Sequence, residues 1–519
     1  MLTFSEDLCL SDIVRHYAQV SPDKTALLFR DRQTSFADLD TAVDRVANGL
    51  ARLGVKPGGR IAILAGNSDH YAEIIFGAAR ARAVVCPVNW RLAPPELRFI
   101  LADAEAEVIF IERQFLDTLD VVSPTLSALR HVVVLGEDGD YTMWRDGQSP
   151  AHFPEGSQPD DVVVQMYTSG TTGKPKGVLL SNRSLAVERG LEAATPEWSS
   201  WGSDDISVVG MPMFHVSGLL WLLQFVSRGG TSIIQGQVDA EAIIRSIIES
   251  GVTRVMAVPA VLKQMVEHPL AQAADFSALR TIGYGGAPIA PELLRRAVAL
   301  FGAGCVQMYG MTETSGTVAW LAAEDHDPAR PERLASCGRA LPGIDIIVTD
   351  EAGARLPAGA IGEICVRTPA LMVDYWQRPG ARDDAMRDGY YRTGDAGYLD
   401  DEGYIYLVDR VKDMIVSGGE NIYPTEIENA LLEHAAICEV AVIGIPSTKW
   451  GEAVHAVCVV RGEEPQPADL IAFLRTRIAG YKIPRSYAFV EKLPRNAAGK
   501  LLKRDLRDIY WGDQQRRIG

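Results

Sequence analysis

Short apolar runs alternate with amphipathic segments over the first two thirds of the chain. These short runs have the length and apolar character of strands. They occupy residues 60–66, 83–88, 108–112, 131–136, 231–235, 253–259, 279–286 and 305–310. Segments with the apolar spacing of helices lie between them, at residues 71–81, 94–104, 239–250, 261–270 and 291–302. This alternation predicts an α/β fold in which a large N-terminal domain holds mainly parallel sheets flanked by helices.

The pattern changes near Gly343, where short strands separated by turn residues predict a small antiparallel sheet region. Helix, strand, strand and helix patterns then follow at residues 424–434, 438–446, 455–461 and 467–478. We interpret this last part as a small, separate α+β domain. The charged, turn-like residues 409–413 are typical of a linker, so the predicted domains are 1–411 and 412–519.

Composition narrows the class of protein. A chain of 519 residues is too long for a single hydrophobic core, and 47% hydrophobic with 23% charged residues is ordinary for a globular protein. The net charge of −16 argues against a nucleic-acid-binding surface, which needs basic patches. The seven cysteines are scattered without a C-x-x-C pair, which indicates free thiols in a reducing compartment. The N-terminus does not look like a signal peptide, and the richest apolar stretch, 216–226, is shorter than a membrane span and is expected to be a core helix. We therefore expect a cytoplasmic protein without an integral membrane segment.

Residues 167–178 read YTSGTTGKPKGV, a run of glycines, hydroxyl side chains and lysines between an apolar strand and a helix. Glycines let the backbone approach a ligand closely, and hydroxyls, amides and lysines bind phosphate oxygens. The P-loop consensus does not fit, because Lys174 is followed by Pro175 and the gap from Gly170 to Gly173 is too short. A plain surface hairpin is the structural alternative, but it does not account for the whole run. The stretch therefore predicts a polyphosphate-binding loop.

Three stretches further along follow apolar runs. MPMFHVSG (211–218) contains His215, for which a buried core position is the structural alternative. GYGGAPI (283–289) offers bare backbone on which a flat base could pack, although a tight turn explains it about as well. MYGMTET (308–314) places Glu313 among hydroxyls, which suits Mg²⁺ on phosphate oxygens. The alternative there is a helix N-terminus capped by Thr312.

Two more stretches lie nearer the C-terminus. In YRTGD (391–395) Asp395, which we expect at a turn, has two carboxylate oxygens that can accept both hydroxyls of a ribose. A plain β-turn aspartate is the alternative. LPRNAAGK (493–500) ends in Lys500 on a glycine turn, where a solvated surface lysine is the alternative.

The order of these stretches along the chain resembles that in the adenylate-forming superfamily of acyl-CoA synthetases, luciferases and peptide-synthetase adenylation domains. After the phosphate loop the stretches are FHVSG, GGAP, YGMTE, YRTGD, DRVKD, SGGENIYP and PRNAAGK. The resemblance covers residues 10–508, and is closest to the fatty-acyl and aryl-CoA ligases. It implies that a carboxylic acid and ATP give acyl-AMP and pyrophosphate, and that coenzyme A then gives acyl-CoA and AMP. It also implies Mg²⁺ as cofactor and a small-molecule acid as the partner, and it is compatible with a homodimer.

Site residues are implied by the same resemblance. The catalytic set is Lys500, Glu313, His215 and Thr168, with Glu313 and Thr168 as the metal ligands. The ATP- and AMP-binding set is Thr168, Ser169, Gly170, Thr171, Thr172, Gly173, Lys174, Lys176, Gly286, Ala287, Pro288, Met308, Tyr309, Gly310, Met311, Thr312, Asp395, Tyr404, Arg410 and Lys500. The CoA-binding set is Ser417, Gly418, Gly419 and Trp450, and the C-terminal domain would rotate about a hinge at Lys412, which withdraws Lys500. For Trp450, an exposed aromatic cap on the core is the alternative.

The expected acyl pocket is mostly apolar or small, which favours a hydrophobic acid. Its candidate residues are Phe214, His215, Ser217, Gly218, Trp221, Val258, Tyr284 and Gly285, with Gly286 beside them. Amino-acid-activating members carry Asp where this chain has His215, so an α-amino acid is disfavoured. We expect Ser217 and the glycines to leave room for a medium or long aliphatic chain, with an aromatic acid as the alternative.

Three further functions are compatible with the same motifs. They are a ligase that loads a carrier protein, a luciferase-type oxygenase and a regulatory module that binds a nucleotide without catalysis. The regulatory module predicts loss of Lys500 or Glu313, and both are present.

Overall fold

A computed structural model describes residues 2–154, 156–168, 175–195, 198, 200–286, 289, 291–327, 329–330, 332–410, 413–417, 420–447, 449–495 and 501–511. Within these ranges the chain divides into two compact units, each with its own core. Unit 1 comprises Met1–Ile346 and Val366–Tyr391, and unit 2 comprises Ile347–Cys365 and Arg392–Gly519. The boundary predicted at residue 411 stays a prediction.

The strands are, in chain order, β1 Thr25–Phe29, β2 Arg32–Ser35, β3 Arg60–Leu64, β4 Val84–Pro87, β5 Val108–Glu112, β6 His131–Leu135, β7 Val162–Thr168, β8 Lys176–Ser181, β9 Ile206–Val209, β10 Thr231–Ile234, β11 Arg254–Ala257, β12 Thr281–Gly285, β13 Gly304–Met311, β14 Gly316–Leu321, β15 Arg339–Ala340, β16 Asp345–Thr349, β17 Gly362–Arg367, β18 Met386–Arg387, β19 Tyr390–Leu399, β20 Ile405–Arg410, β21 Ile415–Ser417, β22 Glu420–Ile422, β23 Ile437–Ser447, β24 Gly451–Val460 and β25 Ser486–Phe489.

The α-helices are α1 Leu10–Val20, α2 Phe36–Arg52, α3 Asp69–Arg80, α4 Pro94–Asp103, α5 Leu116–Val122, α6 Tyr141–Asp146, α7 Asn182–Ala193, α8 Val216–Val226, α9 Ala240–Ser250, α10 Pro259–Glu267, α11 Pro291–Phe301, α12 Ala381–Ala385, α13 Pro424–Leu432, α14 Pro467–Arg475 and α15 Lys503–Trp511. The predicted core helix at 216–226 is confirmed, since α8 has these bounds and its last nine residues are buried. No helix among the described residues is long and apolar enough to span a bilayer.

Two large sheets form the frame of unit 1. A nine-stranded sheet has the order β15-β14-β13-β12-β11-β9-β10-β1-β2, and a six-stranded sheet has the order β6-β5-β3-β4-β7-β8. The strands from β13 to β1 in the first sheet, and from β6 to β7 in the second, pair in parallel. The predicted α/β class with mainly parallel sheets is confirmed. It follows from the apolar runs, because strands covered on both faces by helices have no face exposed to water.

Two five-stranded sheets complete the fold. The order of the first is β16-β17-β19-β18, with β20 on β19, and β19 is antiparallel to both β18 and β20. The second, in unit 2, has the order β22-β21-β24-β23, with β25 on β24. The predicted antiparallel region and the C-terminal α+β unit are confirmed.

Candidate active site

Neighbouring parallel strands of the nine-stranded sheet end at the predicted motifs. The motif with His215 follows β9, Val258 follows β11, and Gly286 follows β12, while β13 runs into the segment with Glu313. The carboxyl ends of parallel strands lie at one edge of a sheet, where open α/β sheets bind ligands. Three motifs and Val258, which are far apart in the sequence, therefore converge at one edge.

A carboxylate and a hydroxyl meet where the phosphate loop begins. Thr168 is the last residue of β7 and lies opposite Lys176 in the β7–β8 hairpin. Its Oγ1 donates a hydrogen bond of 3.3 Å to Oε1 of Glu313. Glu313 lies in a short 3-10 turn after β13, and its main-chain carbonyl accepts a bond of 2.8 Å from the amide of Met372. The rest of the predicted loop, Ser169, Gly170, Thr171, Thr172, Gly173 and Lys174, lies outside the described residues.

Tyr375 lies beside Glu313 and Tyr391 lies beside Tyr375, and neither tyrosine is among the predicted site residues. The Tyr375 hydroxyl donates to Glu313 Oε1 at 3.3 Å and lies 2.9 Å from the hydroxyl of Tyr391. Lys176 Nζ lies 4.9 Å from the centre of the Tyr375 ring, a cation–π distance. Burial, with the charge of Glu313 next, raises the pKa of Tyr375, so the phenol stays protonated and can donate. Tyr391 begins the YRTGD stretch, but Tyr375 has no comparable signal in the sequence.

The donor set fits Mg²⁺ and not a metal held by protein side chains alone. Glu313 and Thr168 contribute a carboxylate and a hydroxyl, both hard oxygen ligands. Among the described residues no group of three or more His, Cys, Asp or Glu side chains is arranged to hold a metal ion. Mg²⁺ commonly uses one or two carboxylates together with phosphate oxygens and water. The arrangement therefore fits a magnesium ion that arrives with a nucleotide.

The adenine segment corrects part of the predicted acyl pocket. Along β12, Gly283 and Gly285 face one side of the sheet and Tyr284 faces the other. A Cβ on Gly283 would lie 3.6 Å from the Trp221 ring, whereas Tyr284 is fully buried in a different core cluster. The Tyr284 hydroxyl bonds Nε2 of His326 at 2.9 Å. Tyr284 and Trp221 thus do not line one pocket, because alternate residues of a strand point to opposite faces.

The expected space at two glycines is also absent. A Cβ on Gly285 would collide with the main-chain carbonyl oxygen of Met308, and one on Gly218 would collide with that of Pro212. Both glycines are required by close backbone packing and do not leave room for an acyl chain. Gly286 is different: it is exposed, its φ is +76°, and Val258 Cγ1 is the nearest neighbour at 3.8 Å. Ala287 and Pro288 lie outside the described residues.

The remaining residues of the YGMTE segment lie at the end of β13 and the turn that follows. Met308 and Met311 are half-buried, Tyr309 and Thr312 are buried, and Gly310 is exposed.

His215 is the residue before α8 and is half-buried. Burial, reinforced by the charge of Arg91, lowers the pKa of His215 to about 4, so the imidazole is neutral at pH 7. Its ring lies 4.7 Å from the ring of Phe214, which in turn makes an edge contact with Trp90 at 6.4 Å. Ser217 lies half-buried in the first turn of α8. This corner of the site is aromatic with a neutral imidazole, and the Arg91 guanidinium lies 4.7 Å from the Trp90 ring and 6.0 Å from the Phe214 ring.

Unit 2 places the predicted ribose residues on neighbouring strands. Asp395 lies inside β19, and its register partner is Arg410 at the end of β20. The expectation of a turn at Asp395 is wrong: the YRTGD segment is extended and forms ladder bonds, although Gly394 has φ +72°. Tyr404 is 2% exposed, so its side chain belongs to the interior of this unit.

The CoA candidates lie partly within the described residues. Trp450 is 36% exposed, with Lys449 Nζ at 4.7 Å and the Arg485 guanidinium at 5.4 Å from its ring. Ser417 ends β21 and pairs with Gly451. Gly418, Gly419, Lys412 and Lys500 lie outside the described residues.

Comparison with known proteins assigns the family. Residues 14–376 match the AMP-binding enzyme family, and residues 426–500 match the AMP-binding enzyme C-terminal domain. The chain belongs to the AMP-binding enzyme family. The expected membership of the adenylate-forming superfamily, among its acid–CoA ligases, is thereby confirmed.

The AMP-binding enzyme is similar over nearly its full length to several characterised proteins. It is 39% identical to the fatty acid–acyl-carrier-protein ligase ScoC of Streptomyces coeruleorubidus, covering 97% of this chain and 96% of that protein. It is 39% identical to the indoleacetate–CoA ligase of Aromatoleum aromaticum, covering 96% and 98%. The ATP-bound structure of MatB from Rhodopseudomonas palustris superposes with a TM-score of 0.88 at 30% identity, covering 98% and 100%.

Proposed function

We propose that this AMP-binding enzyme is an ATP-dependent acid–CoA ligase for a hydrophobic carboxylic acid. The observation that carries the proposal is the contact of Thr168 with Glu313, because it joins the start of the phosphate loop to a carboxylate at the edge of the parallel sheet. A nucleotide triphosphate needs hydroxyls, amides and a magnesium ligand at one place. Its relatives are named as ligases of fatty and aromatic acids, which supports the reaction class.

In the first half-reaction, a carboxylate oxygen of the acid forms a bond to the α-phosphorus of ATP, and the bond from that phosphorus to pyrophosphate breaks. Both reactants are anionic, so charge must be neutralised in the transition state. Glu313 and Thr168 would hold Mg²⁺, which supplies positive charge to the phosphate oxygens. Tyr375 would keep the Glu313 carboxylate oriented through its hydroxyl. Lys500 would hold the two anions together, and Asp395 and Arg410 would bind the ribose.

In the second half-reaction, the thiol sulfur of CoA forms a bond to the acyl carbon, loses its proton, and displaces AMP. A rotation of the C-terminal part about Lys412 would withdraw Lys500 between the two steps. Trp450 supports CoA as the thiol, because an exposed indole beside Lys449 and Arg485 offers a stacking face and two cations for a phosphorylated adenosine. A carrier-protein thiol is the alternative acceptor, as in the relative that loads a carrier protein.

The acid is expected to be a medium- or long-chain fatty acid. The neutral imidazole of His215 and the rings of Phe214 and Trp90 suit an apolar group, and the nearby Arg91 guanidinium disfavours a positive charge on the substrate. One observation favours an aromatic acid instead: Trp221 and Met308 close the space beside Gly283, which leaves a wall better matched to a compact ring than to a long chain.

The test is a panel of acids offered to the full-length enzyme with ATP, Mg²⁺ and either CoA or a phosphopantetheinylated carrier protein. Pyrophosphate and the thioester are measured together for saturated acids of increasing length and for benzoic, cinnamic and indoleacetic acids. Glu313→Gln should lower pyrophosphate release by about 10²–10³-fold, whereas Glu292→Gln on the exposed face of α11 is the matched control and should leave it unchanged. Absence of acid-dependent pyrophosphate release from every acid would contradict the proposal.

Acceptor identity is tested separately. Trp450→Ala should raise KM for CoA without changing pyrophosphate release in the absence of CoA. Tyr481→Ala is the control, because Tyr481 is also an exposed aromatic residue of unit 2, at 45% exposure. Equal effects of the two substitutions on KM for CoA would argue against Trp450 as the nucleotide contact.

A further inference from the structure

Asn67 joins the two large sheets of unit 1 at their ligand-binding edges. It lies in the loop between β3 of the six-stranded sheet and α3, and only 4% of it is exposed. Its main-chain amide donates to the carbonyl of Gly236, which follows β10 of the nine-stranded sheet, at 3.2 Å. The neighbouring Gly66 allows this approach, since a Cβ there would lie only 3.0 Å from the same oxygen. The loop is therefore fixed against the second sheet by its backbone.

The Asn67 side chain makes a second and more specific connection. Its Nδ2 donates to the carbonyl of Met211 at 2.9 Å, and its Oδ1 accepts from the amide of Met213 at 2.8 Å. The side-chain amide thus pairs with the backbone as a neighbouring strand would. The residue between them, Pro212, has no amide hydrogen to offer. Asn is suited to this task because it has one donor group and one acceptor on the same short side chain.

The segment held in this way leads directly to His215. The amide of His215 donates to the carbonyl of Pro212 at 3.0 Å, which closes the turn before α8. The first turn of α8 packs on the same carbonyl, since a Cβ on Gly218 would collide with it. Phe214 is 5% exposed and lies between the Trp90 ring and the imidazole. A shift of Met211 and Met213 would therefore move both Phe214 and His215.

We propose that Asn67 is a positioning residue that fixes segment 211–215 and thereby sets the enzyme's affinity and selectivity for the acid. The inference rests on the proposed function, in which Phe214 and His215 border the acid. Asn67 acts through its two side-chain hydrogen bonds and does not itself touch substrate. The side chain of Thr168 bonds Glu313, and Glu313 also accepts from Tyr375; these residues lie outside segment 211–215, so binding of ATP should be little affected.

The first experiment needs no knowledge of the substrate. Asn67→Asp removes the donor and places a carboxylate oxygen against the Met211 carbonyl, and Asn67→Ala removes both bonds with less repulsion. Hydrogen–deuterium exchange of the full-length protein is measured on peptides that cover residues 206–222. We expect faster exchange there in both variants, because the segment loses its link to the β3–α3 loop. The Met213 amide should exchange fastest in Asn67→Ala, which also removes the oxygen that accepts from it.

Asn182→Ala is the matched control. Asn182 is fully buried in the same unit, accepts from the amide of Leu10 at 3.0 Å, and donates to Ser157 Oγ and Gln158 O at 2.8 Å each. It therefore loses comparable hydrogen bonds on substitution, but away from the His215 segment. Its variant should leave exchange over 206–222 at the wild-type rate. A folding defect of Asn67→Asp would be recognised by comparison with the milder Asn67→Ala.

The second experiment measures steady-state kinetics with the best acid of the panel. Loss of both bonds should raise KM for the acid about tenfold or more and change the ranking of acids, with less than about a twofold change in KM for ATP. Asn182→Ala should change neither KM for the acid nor the ranking of acids. Faster exchange over 206–222 with unchanged acid kinetics would overturn the role in selectivity, and unchanged exchange in both Asn67 variants would overturn the positioning itself. A wild-type enzyme that activates no acid would refute the proposed function, while the exchange result would still decide whether Asn67 fixes the segment.

Discussion

Gly283 and Gly285 provide a matched pair that separates the wall of the acid site from backbone packing. They lie two residues apart in β12, so a methyl group added at either position points to the same face of the sheet. At Gly283 the new Cβ would lie 2.8 Å from Met308 Cε and 3.6 Å from the indole ring of Trp221. At Gly285 it would collide with the Met308 carbonyl oxygen, on the residue that is its register partner in β13.

The two substitutions should differ in energy because they press on different kinds of atom. Met308 Cε is the end of a flexible side chain and can move by a few tenths of an ångström. We therefore expect Gly283→Ala to reduce the free energy of unfolding by less than about 1 kcal/mol. The Met308 carbonyl cannot move without separating β12 from β13, so Gly285→Ala should cost about 1–3 kcal/mol.

Urea unfolding followed by tryptophan fluorescence measures the free energy of unfolding of each variant. The effect on the acid site is measured as kcat/KM for acids of increasing length and for ring acids. Gly283→Ala should penalise the bulkiest acids most and change their ranking, because the new methyl group displaces the end of the Met308 side chain beside Trp221. Gly285→Ala should lower kcat/KM for every acid by a similar factor. A Gly285→Ala enzyme with wild-type stability and a changed ranking of acids would refute the assignment of Gly285 to backbone packing. Gly285 would then belong to the wall of the acyl pocket.

Four further expectations follow from named groups. The pKa of His215 is about 4 in the folded protein and about 6.5 in an unfolded chain, so the unfolded chain binds the extra proton first and the free energy of unfolding decreases as the pH falls from about 6.5 to about 4. His215→Asn should make this decrease smaller by up to about 3 kcal/mol, which urea unfolding at the two pH values measures. Glu313→Gln should lower acid-dependent pyrophosphate exchange by about 10²–10³-fold and raise the Mg²⁺ concentration for half-maximal rate; an unchanged magnesium dependence would count against Glu313 as a ligand. Lys500→Ala should abolish acyl-AMP formation yet retain thioester formation from supplied acyl-AMP, and equal loss in both would reject its role. Lys412→Pro should retain acyl-AMP formation and lose transfer to CoA, because proline fixes φ at the hinge. Normal overall turnover would exclude Lys412 as the pivot.

The sequence alone determined the class of fold and the family. Short apolar runs are typical of strands, and their alternation with helical segments indicates parallel sheets covered by helices. Short motifs such as YTSGTTGKPKGV and YRTGD are local, so their order along the chain carries the family resemblance without any knowledge of contacts. Thr168 and Glu313 were assigned to one site on that basis, and their side chains are in hydrogen-bond contact.

Contacts between distant segments were decided only by the tertiary structure. Tyr375 lies in a loop without a motif and reaches Glu313 because its segment pairs with the edge of β8, where Tyr375 bridges Val178. Asp395 was expected at a turn, but ladder pairing with Arg410 keeps the segment extended. The grouping of Tyr284 with Trp221 failed because the strand alternates its faces, and the space expected at Gly285 is filled by a carbonyl of the next strand. Local residue patterns define elements and chemistry, whereas the atoms that occupy the space beside a glycine come from chain segments that only folding brings near.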